Sequence, residues 1–244
     1  MGQESPIPIR EEGAPRSIAI GIAVFLLDAL LLVGFVLNHL AGAVDPAQTW
    51  TTPFRPLTPW NRAGDGSVIE LFGHLQLALA AGLLFRLAAR QKGHEVLRAW
   101  AGILTILMAD DFFTLHERAG QAIAPVFGST GLSATSVQEL GGAFFWFVVA
   151  MPLSAWLFRA YRRSHREAQH ASRILLWCAS PLGIVALGYV LLSVLAPEHL
   201  YEALGLTAVA IRVAVKVLTT SVILLFASWW SELGLRGSPD QSEQ

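Results

Sequence analysis

The chain has 244 residues, 54% of them hydrophobic and 14% charged, with a mean hydropathy of +0.52. Soluble domains carry about one quarter charged residues, so this composition belongs to a membrane protein. A formal net charge of -1 lacks the basic surplus that nucleic-acid binding needs, and the single cysteine, Cys178, cannot form an intrachain disulfide and reads as a small buried hydrophobe.

Residues 1–16 are polar, hold Pro6, Pro8 and Pro15, and are expected to form a disordered cytoplasmic tail. Six apolar runs follow, each long enough to cross about 30 Å of hydrocarbon as a helix. Window hydropathy places them at 18–41, 67–89, 96–115, 137–158, 174–196 and 206–230. The expected fold is therefore all-α, an integral membrane bundle of six transmembrane helices within residues 17–231, with a second disordered cytoplasmic tail at 232–244. The first run ends near Ala41-Gly42-Ala43, which looks like a signal-peptide cleavage site. Its length exceeds the roughly 7–15 residues of a signal h-region, so it is read as a helix.

Lys and Arg orient the bundle. The connection after the second run carries Arg86, Arg90, Lys92 and Arg98, and the one after the fourth carries Arg159, Arg162, Arg163, Arg166 and Arg173. The opposite loops hold only Arg55, Arg62 and Arg118. The positive-inside rule then puts both termini in the cytoplasm, and Trp100, Trp156, Trp177, Trp229 and Trp230 fall near the inner interface as an aromatic belt would. The long outer connection at 42–66 contains Trp50, Pro53, Pro56, Pro59 and Trp60 and reads as an interfacial segment; the stretch at 119–136 reads as a loop.

The third run closes on Ala109-Asp110-Asp111-Phe112-Phe113-Thr114-Leu115-His116-Glu117-Arg118. A carboxylate in lipid costs several kcal/mol, about 3 on insertion scales, so such residues are paired or functional. With a rise of about 1.5 Å per residue, Glu70, His74, Asp110, Asp111, His116, Glu117 and Glu139 all fall in the outer third of the bundle, and His39, Glu198, His199 and Glu202 lie on the same side. Glu70 and His74 are four residues apart and share a face. Asp28 and Lys216 both lie about 15 Å deep and are expected to pair, while Arg212, one turn outward, is placed to pair with Asp110 or Asp111.

Imidazole and carboxylate together suit a divalent metal, Zn, Fe or Mn. The ligand candidates are Glu70, His74, Asp110 and His116; Asp111 or Glu117 is the candidate general base, and Arg212 the candidate holder of an anionic headgroup or oxyanion. The spacing is not the Glu-x-x-His of di-iron bundles. The arrangement is similar in kind to membrane-embedded zinc hydrolases such as the alkaline ceramidases and adiponectin receptors. It has six expected helices instead of seven and no matching histidine motif on the last helices, so no residue carries over.

Three functions compete. The first is a metal-dependent enzyme, a hydrolase or oxidase acting on a lipid-like or other small-molecule envelope substrate, in a bacterial inner (plasma) membrane with its site facing the extracytoplasmic side. The second is a proton- or cation-coupled transporter using Asp28, Lys216 and Asp110. The third is an assembly protein whose polar cluster is a buried ion-pair network.

Overall fold

A computed structural model describes residues 16–44, 68–127, 134–196 and 198–236. The expected N-terminal tail, nearly all of the outer connection after the first helix, and the side chains of His39, Glu198, His199 and Glu202 lie outside the described residues. Among the described residues every element is a helix: α1 (Arg16–Val44), α2 (Val68–Arg90), α3 (Glu95–Phe113), α4 (Leu115–Ile123) with a 3-10 turn after it (Ala124–Phe127), α5 (Ala134–Arg163), α6 (Arg166–Leu195) and α7 (Glu198–Arg236).

Five of these helices, α1, α2, α5, α6 and α7, are long and apolar enough to cross a membrane. Their outward faces are what lipid requires: Leu26, Leu30, Phe147, Ile184 and Leu195 are each between 64% and 74% exposed. Water would not tolerate so much contiguous apolar surface, whereas hydrocarbon does. The chain is a multi-pass helical membrane protein.

The third expected span differs from the others. α3 has 19 residues but carries Glu95, Arg98, Asp110 and Asp111, too many charges for a helix bathed in lipid. It forms the interior of the bundle instead, packing on α2, α5 and α6. Val96, Leu97, Ala99 and Leu104 are wholly shielded there, in a core shared with Leu84, Ala168, Leu175 and Ile223. Neighbouring helices thus supply the partners that lipid cannot.

Several helices outrun the apolar segments that announce them. α5 continues to Arg163, α6 begins at Arg166, and α7 continues to Arg236. The Glu232 carboxylate accepts the Ser17 backbone N–H at 2.9 Å and the Ser17 hydroxyl at 3.0 Å. Residues 232–236 therefore belong to the helix and not to the tail expected from 232 onward, and the start of α1 is tied to the end of α7. At the same end, Gly93 takes a positive φ of 79° in the α2–α3 turn, and its carbonyl accepts the His165 N–H at 2.8 Å.

A correction concerns residues 115–127, most of which read as loop from their composition but are helical. Thr114 adopts the left-handed conformation (φ 51°), ends α3 and starts α4 in a new direction. α4 then seats on α5 through glycines. A Cβ on Gly120 would stand 2.3 Å from the Gln138 carbonyl oxygen, and one on Gly141 would stand 2.7 Å from the Gly120 Cα. The two backbones touch because neither has a side chain there. Gly120→Ala and Gly141→Ala should each cost about 1–3 kcal/mol by overpacking a backbone contact. Thermal unfolding in detergent should show this, with Gly82→Ala, whose Cβ would meet nothing within 4 Å, as the unaffected control.

Candidate metal centre

α2 presents Glu70 and His74 one turn apart, and the last turn of α3 presents Asp111. One donor atom from each of the three falls within 4.8 Å of the others. The His74 Nε2 contacts the Asp111 Oδ2, and the Lys216 ammonium from α7 contacts the same oxygen while standing 3.4 Å from Glu70 Oε1. His74 is only 7% exposed, its ring meets the edge of Phe112 at 5.8 Å, and its Nδ1 is buried with no hydrogen-bond partner. A histidine shielded to this degree usually has both ring nitrogens engaged.

Asp110 goes elsewhere. Consecutive helical residues point about 100° apart, so neighbouring aspartates cannot serve one ligand from a regular helix. Asp110 faces α4 and α5. Its Oδ1 accepts the His116 backbone N–H at 2.9 Å, and its Oδ2 meets the His116 Nδ1 at 2.7 Å and accepts the Trp146 indole N–H at 3.1 Å. Asp110 thus stitches the α3–α4 break, and His116 is its partner. Of the four ligand candidates from the sequence, Glu70 and His74 converge. Asp110 and His116 pair with each other, and Asp111, expected as a base, takes the third position. Glu117 sits half-buried on α4 outside the group.

Two expected ion pairs are replaced. Lys216 does not pair with Asp28, because Glu70 and Asp111 claim it. Asp28, wholly buried, accepts instead from the Gln76 amide at 3.1 Å and the Ser221 hydroxyl at 2.5 Å. Gln76 also donates to the Ser221 Oγ at 2.7 Å and accepts from the Thr220 hydroxyl. Arg212 does not pair with Asp110 or Asp111; its guanidinium lies over the Tyr189 ring, 5.2 Å from the centroid. Sequence reasoning passes over Gln76, Ser221 and Thr220 because they carry no charge. The available signal is an amide and a Thr-Thr-Ser run in the middle of apolar helices.

Scans against protein-family models, curated proteins and solved structures each found no match to the chain.

Asp28→Ala would strand the buried donors of Gln76 and Ser221 and should lower stability by about 1–3 kcal/mol. Lys216→Met should leave the Asp28 cluster intact, which thermal unfolding of both variants can compare. A second expectation concerns pH. The Asp110 hydrogen bond raises the His116 pKa above its ordinary 6.5, and burial only partly opposes this. Its stabilising contribution is complete below the unfolded value and is lost as pH rises through the higher folded value. Wild-type thermal stability should therefore fall as pH rises above 6.5, and His116→Gln should flatten that fall.

Proposed function

We propose that the chain is a metal-dependent membrane enzyme, a hydrolase of a lipid-like substrate, in which Glu70, His74 and Asp111 hold one divalent cation. The observation that carries this reading is the convergence of one imidazole and two carboxylates, from α2 and α3, with donor atoms within 4.8 Å. The buried, unpartnered Nδ1 of His74 supports it, since a histidine so shielded usually has both ring nitrogens engaged. Zinc bonds of about 2.0 Å put tetrahedral donors about 3.3 Å apart, so His74 and Asp111, now in direct contact, would separate slightly to admit an ion, and no donor pair would need to close by more than about 1.5 Å.

In this reading α3 is the sixth span, both termini are cytoplasmic, and the site faces the extracytoplasmic side. The Lys and Arg distribution supports that orientation. Glu70, His74 and Asp111 would hold the ion with three protein donors, the number that catalytic rather than structural zinc sites use, and iron or manganese accepts the same donors. A divalent cation held by Glu70, His74 and Asp111 would supply the means to activate water for hydrolysis near neutral pH. Lys216 ion-pairs with both carboxylates when no metal is held. With both carboxylates committed to a cation, the Lys216 ammonium would be left to hold an anion developing on the substrate.

The contact of Lys216 with both carboxylates favours a second reading, a proton- or cation-coupled transporter. There, release of the ammonium from Asp111 and Glu70 would accompany cation uptake, and the Asp28 cluster, one turn deeper along α7, would continue the polar path.

Metal content of protein purified without chelator or histidine tag separates the two. Near-stoichiometric Zn, Fe or Mn that disappears in His74→Ala supports the enzyme. Metal retained by His74→Ala overturns the ligand assignment. Lys216→Met should bind metal more tightly if the triad is a metal site, because a competing cation is gone. It should abolish transport and leave the protein metal-free if the second reading holds.

A further inference from the structure

At the opposite end of α3 from Asp111, a cavity of about 480 Å³ opens between α3 and α5. α5 lines it with one stripe at helical spacing: Pro152, Trp156, Arg159 and Arg163. α3 adds Glu95 and Arg98 from its first turn. The lining therefore holds three guanidinium groups against one carboxylate, a surplus of 3 − 1 = 2 positive charges. Arg98 is anchored by an N–H bond to the Ala88 carbonyl at 3.4 Å. Neither Arg159 nor Arg163 makes an ion pair with a described residue. Arg162, outside the cavity, lies over the Phe158 ring.

The cavity changes character along its length. From Pro152 to Arg163 the stripe rises about 16 Å, roughly half the hydrocarbon thickness. Its upper part is proline, alanine and indole, and its lower part is arginine. Trp156 forms the wall between them. Its ring lies directly on α3 because Gly102 has no side chain; a Cβ there would be 2.5 Å from the indole. Glu95 offsets only one of the three arginines, and guanidinium groups grip phosphate oxygens two at a time.

We propose that this cavity binds the headgroup phosphate of an anionic phospholipid, with an acyl chain running up the Pro152–Trp156 side. The apolar upper half points to a lipid rather than a free phosphate, and basic pockets between helices at the positively charged side of a membrane protein suit such headgroups. The site is separate from the Glu70–His74–Asp111 group and does not depend on what that group does.

Native mass spectrometry in detergent tests it, with phosphatidylglycerol and phosphatidylcholine of equal chain length as probes. Wild type should retain phosphatidylglycerol in preference to phosphatidylcholine. Arg159→Ala/Arg163→Ala should weaken that retention about 30-fold, since each basic residue near an anionic surface contributes about a factor of five. Arg162→Ala should bind as wild type does. Arg159→Gln/Arg163→Gln repeats the measurement with more of the side-chain stem kept, should the alanine pair fail to fold. Equal retention of the two lipids, or unchanged phosphatidylglycerol binding in both double variants, overturns the proposal. Full displacement of the lipid by an equal concentration of glycerol phosphate also overturns it and makes the cavity a site for soluble phosphate.

Discussion

The Asp111 carboxylate receives the imidazole of His74 from α2 and the ammonium of Lys216 from α7, so one side chain on α3 joins the helix before it to the last helix of the chain. An ionised group placed among apolar helices must find such partners or not ionise. Lys216 also stands beside Glu70, so one ammonium serves both carboxylates. The contact that allows α3 to end inside the bundle is therefore the same contact that assembles nitrogen and oxygen donors at one point. Stability and chemistry compete here, because anything that binds the carboxylates as a cation must replace Lys216.

The placement of Asp111 depends in turn on how α3 stops. Thr114 in the left-handed region turns the chain, and Asp110 secures the turn by accepting the His116 backbone N–H and the Trp146 indole N–H while pairing with the His116 ring. α4 then lies on α5 where Gly120 and Gly141 let the backbones meet. Adjacent aspartates thus divide the work by direction: Asp111 faces the donor group and Asp110 holds the structure that aims it. Deeper in, Asp28, Gln76, Ser221 and Thr220 form a closed set of hydrogen bonds linking α1, α2 and α7. That set joins α1, whose outward side is almost wholly apolar, to the rest of the bundle.

α3 also connects the donor group to the arginine-lined cavity. Asp111 lies in its last turn and Arg98 in its first, about 20 Å apart by helical rise. The walls of both regions are built around residues that local hydropathy treats as interruptions of a span. These interruptions explain why α3 is interior: a helix with charge at both ends and apolar residues between them is accommodated by surrounding protein rather than by lipid.

Apolar runs of bilayer length specify helices and a membrane, because the backbone must satisfy its own hydrogen bonds in hydrocarbon. Glu70 and His74 share a face by spacing alone. This much is legible in the amino-acid order. Composition and local periodicity do not specify how each helix is rotated about its axis or which neighbour it meets. The rotation of α3 makes Asp111, not Asp110, the partner of His74. The neighbours of α1 give Asp28 to Gln76 and Ser221 and leave Lys216 for the two outer carboxylates. α4 has no clear signal in the sequence because a nine-residue amphipathic helix buries its face only against α5, and that partner exists only once the bundle has formed. Residue order thus accounts for the helices and the membrane they occupy. Packing between helices selects which polar groups meet, since in a low-dielectric interior each buried charge must take whichever partner the packed helices bring within reach.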